Sequence, residues 1–149
     1  MAGRDGDDPT ASPNDFTSMG LFLNADAATF TGFSVYGNVL RHTKQKGITI
    51  NGLVDSAVFN NTLYGMNVRA GGSGYRGMIT VSGGVQNLRI DGNIFYGNVS
   101  RDQYVLQGVV FSDGSESGTS MNRNLFFHED ESQYMVTINS TLVSERRSY

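Results

Sequence analysis

Short segments in which apolar and polar residues alternate follow one another along most of the chain, and these segments repeat. Four of them align, and each ends in a turn, an amide or hydroxyl residue and two apolar residues. They are FSVYGNVL from Phe33, AVFNNTLY from Ala57, LRIDGNIF from Leu88 and TSMNRNLF from Thr119. Alternation predicts β-strands, and a period of about thirty residues is typical of a solenoid in which each repeat forms one coil.

A second family of segments lies between the first and repeats at a similar interval. Each member is a short alternating strand that ends in Asn or Ser. The members are LFLN from Leu21, ITIN from Ile48, ITVS from Ile79, VVFS from Val109 and VTIN from Val136. Because one coil cannot cover its own apolar face, we expect the coils to stack, with each strand parallel to its counterpart in the next coil.

The sixth position of the first family predicts a ladder of hydrogen-bonded side chains. This position is Asn38, Thr62, Asn93 and Asn124. An amide in a repeated turn can bond the same amide one coil further on, and it can also bend its own backbone. A threonine hydroxyl cannot continue the amide chain, so we expect a local break at Thr62.

The same alignment predicts three columns of inward-facing side chains that fill a narrow core. Their members are aliphatic or aromatic. The columns are Val35, Phe59, Ile90 and Met121; Val39, Leu63, Ile94 and Leu125; and Leu40, Tyr64, Phe95 and Phe126.

Two of the repeats resemble the coils of the pectate-lyase-like superfamily. The similar stretches are GFSVYGN from Gly32 and NNTLYG from Asn60, and the resemblance extends from about Leu21 to Asn139. It implies an all-β fold, a short right-handed parallel β-helix of about four to five coils. That superfamily includes polysaccharide lyases, hydrolases and epimerases as well as phage tailspikes, so the resemblance specifies the fold more closely than the function.

The N-terminal residues differ in composition from the repeats. Residues 1–16 are rich in Asp, Gly, Pro, Ser and Thr and have little to bury, so we expect a flexible arm before a single β-helix domain at 17–149. Two interpretations of the arm stay open: a disordered tail, or a segment that becomes ordered on a partner.

Charge and composition exclude some functions. The formal net charge of -3 lacks the basic footprint of a nucleic-acid-binding protein. The absence of cysteine excludes disulfides and thiolate metal sites. We expect no cofactor and no metal.

No segment approaches a membrane span, and the first twenty residues lack the apolar run of a signal peptide. The cellular location stays open, with a virion or the extracellular space after assembly both compatible.

Three carboxylates are the candidates for catalysis, because glycosidases need a pair of carboxyl groups across the sugar bond. They are Asp55, Asp91 and Asp113. Asp91 has uncharged counterparts in the neighbouring repeats, and the other two lie in turns of unequal length. The simpler interpretation of all three is that they are solvated turn residues.

Aromatic and basic residues in and near the long loops are the candidates for binding a sugar or a partner protein. They are Tyr75, Arg76, Tyr96, Arg101 and Tyr104. Loops of a rigid scaffold frequently carry its binding residues. The alternative is that the Gly-rich stretch around Tyr75 only connects two coils.

These features favour a non-catalytic structural or interaction module that docks onto a larger assembly, most plausibly a phage-like virion. In such a virion it would be a decoration, fibre or tail-associated protein. A short stack has two ends with unpaired strand edges, which need capping or a neighbouring subunit. We therefore expect other protein subunits as partners, with a homo-oligomer as the favoured state. The alternative is a carbohydrate-active or glycan-binding β-helix with a polysaccharide partner.

Overall fold

The computed structural model describes residues 20–25, 30–41, 43, 46–65, 77–97, 107–128, 136–138 and 141–142. These residues form sixteen short strands, numbered in chain order. The strands are β1 (Leu21–Asn24), β2 (Phe30–Thr31), β3 (Ser34–Tyr36), β4 (Val39–Arg41), β5 (Ile48–Asn51), β6 (Leu53–Val54), β7 (Ala57–Phe59), β8 (Thr62–Tyr64), β9 (Gly77–Ser82), β10 (Leu88–Asp91), β11 (Ile94–Gly97), β12 (Gln107–Phe111), β13 (Thr119–Asn122), β14 (Leu125–His128), β15 (Val136–Ile138) and β16 (Thr141–Leu142).

Each sheet takes one strand from each successive repeat. Sheet 1 has the order β1-β5-β9-β12-β15-β16, sheet 2 the order β13-β10-β7-β3, and sheet 3 the order β14-β11-β8-β4. A two-stranded pair, β2-β6, lies between sheets 1 and 2 along the chain. Every pairing is parallel except that of β15 with β16, which is antiparallel. Stacked parallel sheets of this kind are consistent with a parallel β-helix.

The second family of repeats pairs in the predicted register. Leu21 lies opposite Ile48, Ile48 opposite Ile79, and Ile79 opposite Val109, which in turn lies opposite Val136. The alternating pattern therefore placed five strands of sheet 1 correctly.

The first family pairs one residue away from the predicted alignment at its second member. Ala57 lies opposite Ser34 and Arg89, so Val58 rather than Phe59 is the counterpart of Val35 and Ile90. The predicted first column is wrong at that position. The observed column consists of Val35, Val58, Ile90 and Met121, and the next inward column consists of Leu40, Leu63, Phe95 and Phe126.

The predicted column of Val39, Leu63, Ile94 and Leu125 is wrong at three positions, because all but Leu63 face outward. The third predicted column is wrong at Tyr64, whose place Leu63 takes. Val39 is 72% exposed, and Ile94 and Leu125 are also exposed. The cause is that successive side chains along a β-strand point to opposite faces of the sheet. The ladder asparagine at the corner points inward, so the residue after it points outward and the next one, such as Phe95, points inward and is buried.

The core lies between the inner faces of the sheets. Its largest fully buried side chain is Phe95, which stacks on Phe126 at a ring-centroid distance of 4.6 Å, and the next largest are aliphatic. The only helical turn among the described residues is a 3-10 helix at Ser115–Gly118. No helix in that part of the chain is long and apolar enough to cross a membrane.

Candidate functional site

The corner between sheets 2 and 3 carries a continuous ladder of four asparagines: Asn38, Asn61, Asn93 and Asn124. The Nδ2 of each of the first three donates to the Oδ1 of the next at 3.0 Å. The backbone N–H of the same residue donates to the same Oδ1 at 2.9 to 3.1 Å. The ladder therefore has a direction, with donors pointing toward the C-terminal repeats and acceptors toward the N-terminal ones.

The ladder amides also bond the main chain. The Nδ2 groups of Asn61, Asn93 and Asn124 donate to the carbonyl oxygens of Val35, Val58 and Ile90, each in the preceding repeat. Asn93 is fully buried, so these bonds satisfy polar groups that have no access to water. The ladder joins the repeats at their sharpest turn.

The residue before each ladder asparagine has a left-handed backbone. The φ angles are +68° at Gly37, +53° at Asn60, +63° at Gly92 and +53° at Arg123. Glycine and asparagine adopt this conformation readily, whereas arginine does so at a steric cost. Gly37 and Gly92 therefore occupy positions at which this turn requires a positive φ.

Thr62 does not belong to the ladder, and the predicted break there is wrong. Thr62 lies opposite Val39 on the outer face, and Asn61 fills the place between Asn38 and Asn93. The adjacent residues Asn60 and Asn61 made both alignments available in the sequence. Asparagine readily replaces glycine at a positive φ, and Asn60 takes that position here. This alignment leaves an amide, Asn61, for the ladder, whereas the predicted one left a hydroxyl.

A second, shorter ladder lies at the C-terminal ends of the strands β1 and β5 of sheet 1. The Nδ2 of Asn51 donates to Oδ1 of Asn24 at 2.6 Å. Ser82, the counterpart of Asn51 in the next repeat, approaches Asn51 Oδ1 only at 3.5 Å. A hydroxyl is too short to continue the amide ladder at full strength.

Aromatic side chains form two columns on the outer faces of sheets 2 and 3. Tyr36 stacks on Phe59 at a ring-centroid distance of 5.0 Å, and the Arg89 guanidinium lies 5.5 Å from the centre of the Phe59 ring. On sheet 3, Tyr96 contacts Tyr64 at 5.0 Å and Phe127 at 4.9 Å. These contacts follow from the register, since counterparts in neighbouring parallel strands lie about 4.8 Å apart.

The stacking changes what Tyr96 can do as a binding residue. Both faces of its ring are covered, one by Tyr64 and the other by Phe127. A sugar that stacks on tyrosine needs a free ring face. Tyr96 therefore presents its ring edge outward. The other four predicted binding residues, Tyr75, Arg76, Arg101 and Tyr104, lie outside the described residues.

Asp91 is held in an ion pair at the outer edge of the asparagine corner. The Arg123 guanidinium donates through Nε at 3.0 Å to Asp91 Oδ1 and through a terminal nitrogen to Oδ2. These hydrogen bonds lower the pKa of the Asp91 carboxyl below its ordinary value, and the Arg89 charge acts in the same direction, although burial opposes it. A carboxyl held ionised in this way is poorly suited to be a general acid at neutral pH.

Asp55 and Asp113 lie elsewhere. Asp55 follows β6, has a φ of +49° and accepts a hydrogen bond from Asn87 Nδ2 at 2.7 Å. Asp113 follows β12, is exposed and has a φ of +58°. Asp91 is the last residue of β10, so the three candidate carboxylates lie at the ends of strands of three different sheets. Among the described residues, no three His, Cys, Asp or Glu side chains converge as metal ligands.

The strands β1 to β4 form one end of the stack, which we call the first end. Five large hydrophobic side chains are exposed between residues 21 and 41: Phe22, Phe30, Phe33, Tyr36 and Val39. Phe22, Tyr36 and Val39 alternate with core residues along their strands and face outward, whereas Phe30 is the counterpart of the buried Leu53. Phe30 is 44% exposed and Phe33 40%. Phe30 and Phe33 contact each other edge to face, with ring centroids 6.0 Å apart. This is an exposed apolar surface at a set of strand edges, which is the usual character of an interaction surface.

Comparison with models of protein families gives no match. Searches of curated proteins and of solved structures give no significant match either.

Proposed function

We propose that this protein is a non-catalytic structural module that docks onto a larger protein assembly. The observation that carries the proposal is the first end, where exposed phenylalanines adjoin the edges of β1, β3 and β4. Core residues at that end are only partly covered, and their counterparts one repeat further on are buried. A neighbouring subunit would bury these apolar side chains, and such burial is the main favourable term in protein association.

The repeated pattern supports a finer description of the fold. We infer a right-handed parallel β-helix of about four to five coils, similar to the pectate-lyase-like superfamily. The support is the GFSVYGN and NNTLYG stretches, together with the ladder of asparagines at one corner. Within the range of proteins that share this pattern, a docking module is compatible with a component of a phage-like virion.

The carbohydrate-active alternative has less support from the described residues. Asp91 is ion-paired with Arg123, and both ring faces of Tyr96 are covered. Its test is turnover of an acidic polysaccharide by the wild type and by Asp91→Asn. Turnover that the substitution abolishes in a folded protein would favour this alternative over the structural role.

The mass of the purified protein in solution tests the structural proposal. Light scattering over a concentration series is expected to give a defined oligomer, because a copy or partner is needed to cover the first end. A monomer at every concentration would contradict self-association and would direct the search to glycans and to foreign partners.

A further inference from the structure

The core is incomplete at the first end. Val35 and Leu40 are partly exposed there, whereas their counterparts in the next repeat, Val58 and Leu63, are 1% and 0% exposed. These side chains point into the core in both repeats, so the difference arises because none of the described repeats covers the first one. A surface that completes this core would bury apolar area of the same kind as the interior.

The strand edges at the first end lack the usual protection. No strand among the described residues pairs with the outer edge of β1, β3 or β4. Natural edge strands are normally protected by charges, proline or bulges. The twelve residues of β1 to β4 contain no proline and only one charged residue, Arg41.

The opposite end of the stack is different, because sheet 1 continues there beyond sheets 2 and 3. β15 follows β12 on sheet 1, and β16 then pairs antiparallel with β15. Within the described part of the chain, sheets 2 and 3 end earlier, at β13 and β14. A second copy stacked head to tail would need its β1 in the position that β15 occupies, so head-to-tail growth is blocked.

The end of the asparagine ladder is self-complementary. Within the described residues, Asn38 Oδ1 accepts no hydrogen bond, while its Nδ2 donates to Asn61 Oδ1 and to the exposed carbonyl oxygen of Tyr36. Across a two-fold axis, the Asn38 Nδ2 hydrogen that is bonded to Tyr36 O could instead bond Oδ1 of Asn38 in a second copy. Asn38 Nδ2 of the second copy could in turn donate to Oδ1 of Asn38 in the first. A two-fold interface requires this kind of self-complementarity.

We propose that the first end is the interface of a closed homodimer, in which two copies meet first end to first end. β1, the first described strand of the stack, pairs antiparallel with β1 of the second copy, and Phe30 and Phe33 pack between the copies. The antiparallel β15-β16 pair prevents the dimer from growing into a filament. This inference rests on the proposed function and names its docking surface and partner.

Two valine substitutions test whether the first end, and not the outer face of the stack, forms the dimer interface. Val35→Lys introduces an unpaired charge at the first end, whereas Val39→Lys is its matched control on the outer face, where Val39 is 72% exposed. Light scattering over a concentration series is expected to give twice the chain mass for the wild type and for Val39→Lys. Val35→Lys should weaken dimerisation by about tenfold or more, because an interfacial charge without a partner is costly. Phe33→Glu, at a side chain that is already exposed, repeats the test if Val35→Lys fails to fold by circular dichroism.

The outcomes distinguish this inference from the proposed function. An oligomer that Val35→Lys and Phe33→Glu leave intact would overturn the first end as the interface, while the docking role would stand. An oligomer larger than a dimer that grows with concentration would overturn closure by β15-β16. A wild-type monomer at every concentration would overturn the second copy as the partner and would also contradict self-association as the protein's role.

Discussion

Removal of one interior rung of the asparagine ladder should destabilise the protein far more than removal of its terminal rung. Asn93→Ala deletes four side-chain hydrogen bonds, two accepted from Asn61 and two donated to Val58 O and Asn124 Oδ1. At about 0.5 to 1.5 kcal/mol net for each bond, the free energy of unfolding should fall by about 2 to 6 kcal/mol. Asn38→Ala, at the exposed end of the ladder, deletes two donated bonds. Because water can replace them there, we take the lower value of about 0.5 kcal/mol for each, a loss of about 1 kcal/mol.

Urea unfolding followed by far-UV circular dichroism measures both losses from the transition midpoint and slope. Asn93→Asp adds a second test, because it keeps the volume and one acceptor but replaces the donating Nδ2 by an oxygen that faces two other acceptors. We expect it to destabilise at least as much as alanine. If Asn93→Ala lost no more stability than Asn38→Ala, the ladder would not be the interaction that joins the repeats.

Three further predictions concern single contacts. Because its ion pair lowers the pKa of Asp91, that pair stabilises the folded protein above the ordinary pKa of 3.8, and this contribution is lost as the pH falls through the lowered value. The midpoint of thermal unfolding should therefore fall less steeply with acidification in Arg123→Gln than in the wild type. Gly92→Ala should lower the free energy of unfolding by about 1 to 2 kcal/mol in urea, because φ is +63° and the added methyl group would lie 2.7 Å from an amide oxygen of the preceding repeat. Phe95→Ala should lower it by about 3 to 5 kcal/mol, whereas Ile94→Ala, on the outer face, should change it by about 0.5 kcal/mol or less.

The sequence predicted the strands because the alternation and the repeat interval agree in two independent families. It did not determine the alignment of the second repeat, where either Asn61 or Thr62 could take the ladder position and the asparagine before it the glycine position. The structure resolves this through the backbone, since Asn60 takes the left-handed position that glycine occupies before Asn38 and Asn93. The outward direction of Val39 was also predicted wrongly. The ladder amide of Asn38 points inward, so the next side chain along the strand must point outward.

Long-range partners at the outer face were harder to predict. Arg123 precedes a ladder asparagine at the position where two other repeats have glycine, and nothing in its own segment indicates that it bonds Asp91 in the preceding repeat. The covered faces of Tyr96 likewise depend on the register of three strands. Residue type identified these positions as candidates, but only the stacking of the repeats gave their contacts.

A disulfide cross-link tests the central claim, the parallel register of consecutive repeats, most directly. The chain has no native cysteine, and Val39 and Thr62 lie opposite each other on the outer face of adjacent strands. Their Cα atoms should be about 4.8 Å apart, which is within the range that a disulfide spans. Mild oxidation of the Val39→Cys, Thr62→Cys double variant should give a folded, cross-linked monomer by mass spectrometry. The Val39→Cys, Leu63→Cys control should not cross-link, because residue 63 points into the core. Cross-linking of the control in preference to the first pair would contradict the register and, with it, the continuous asparagine ladder.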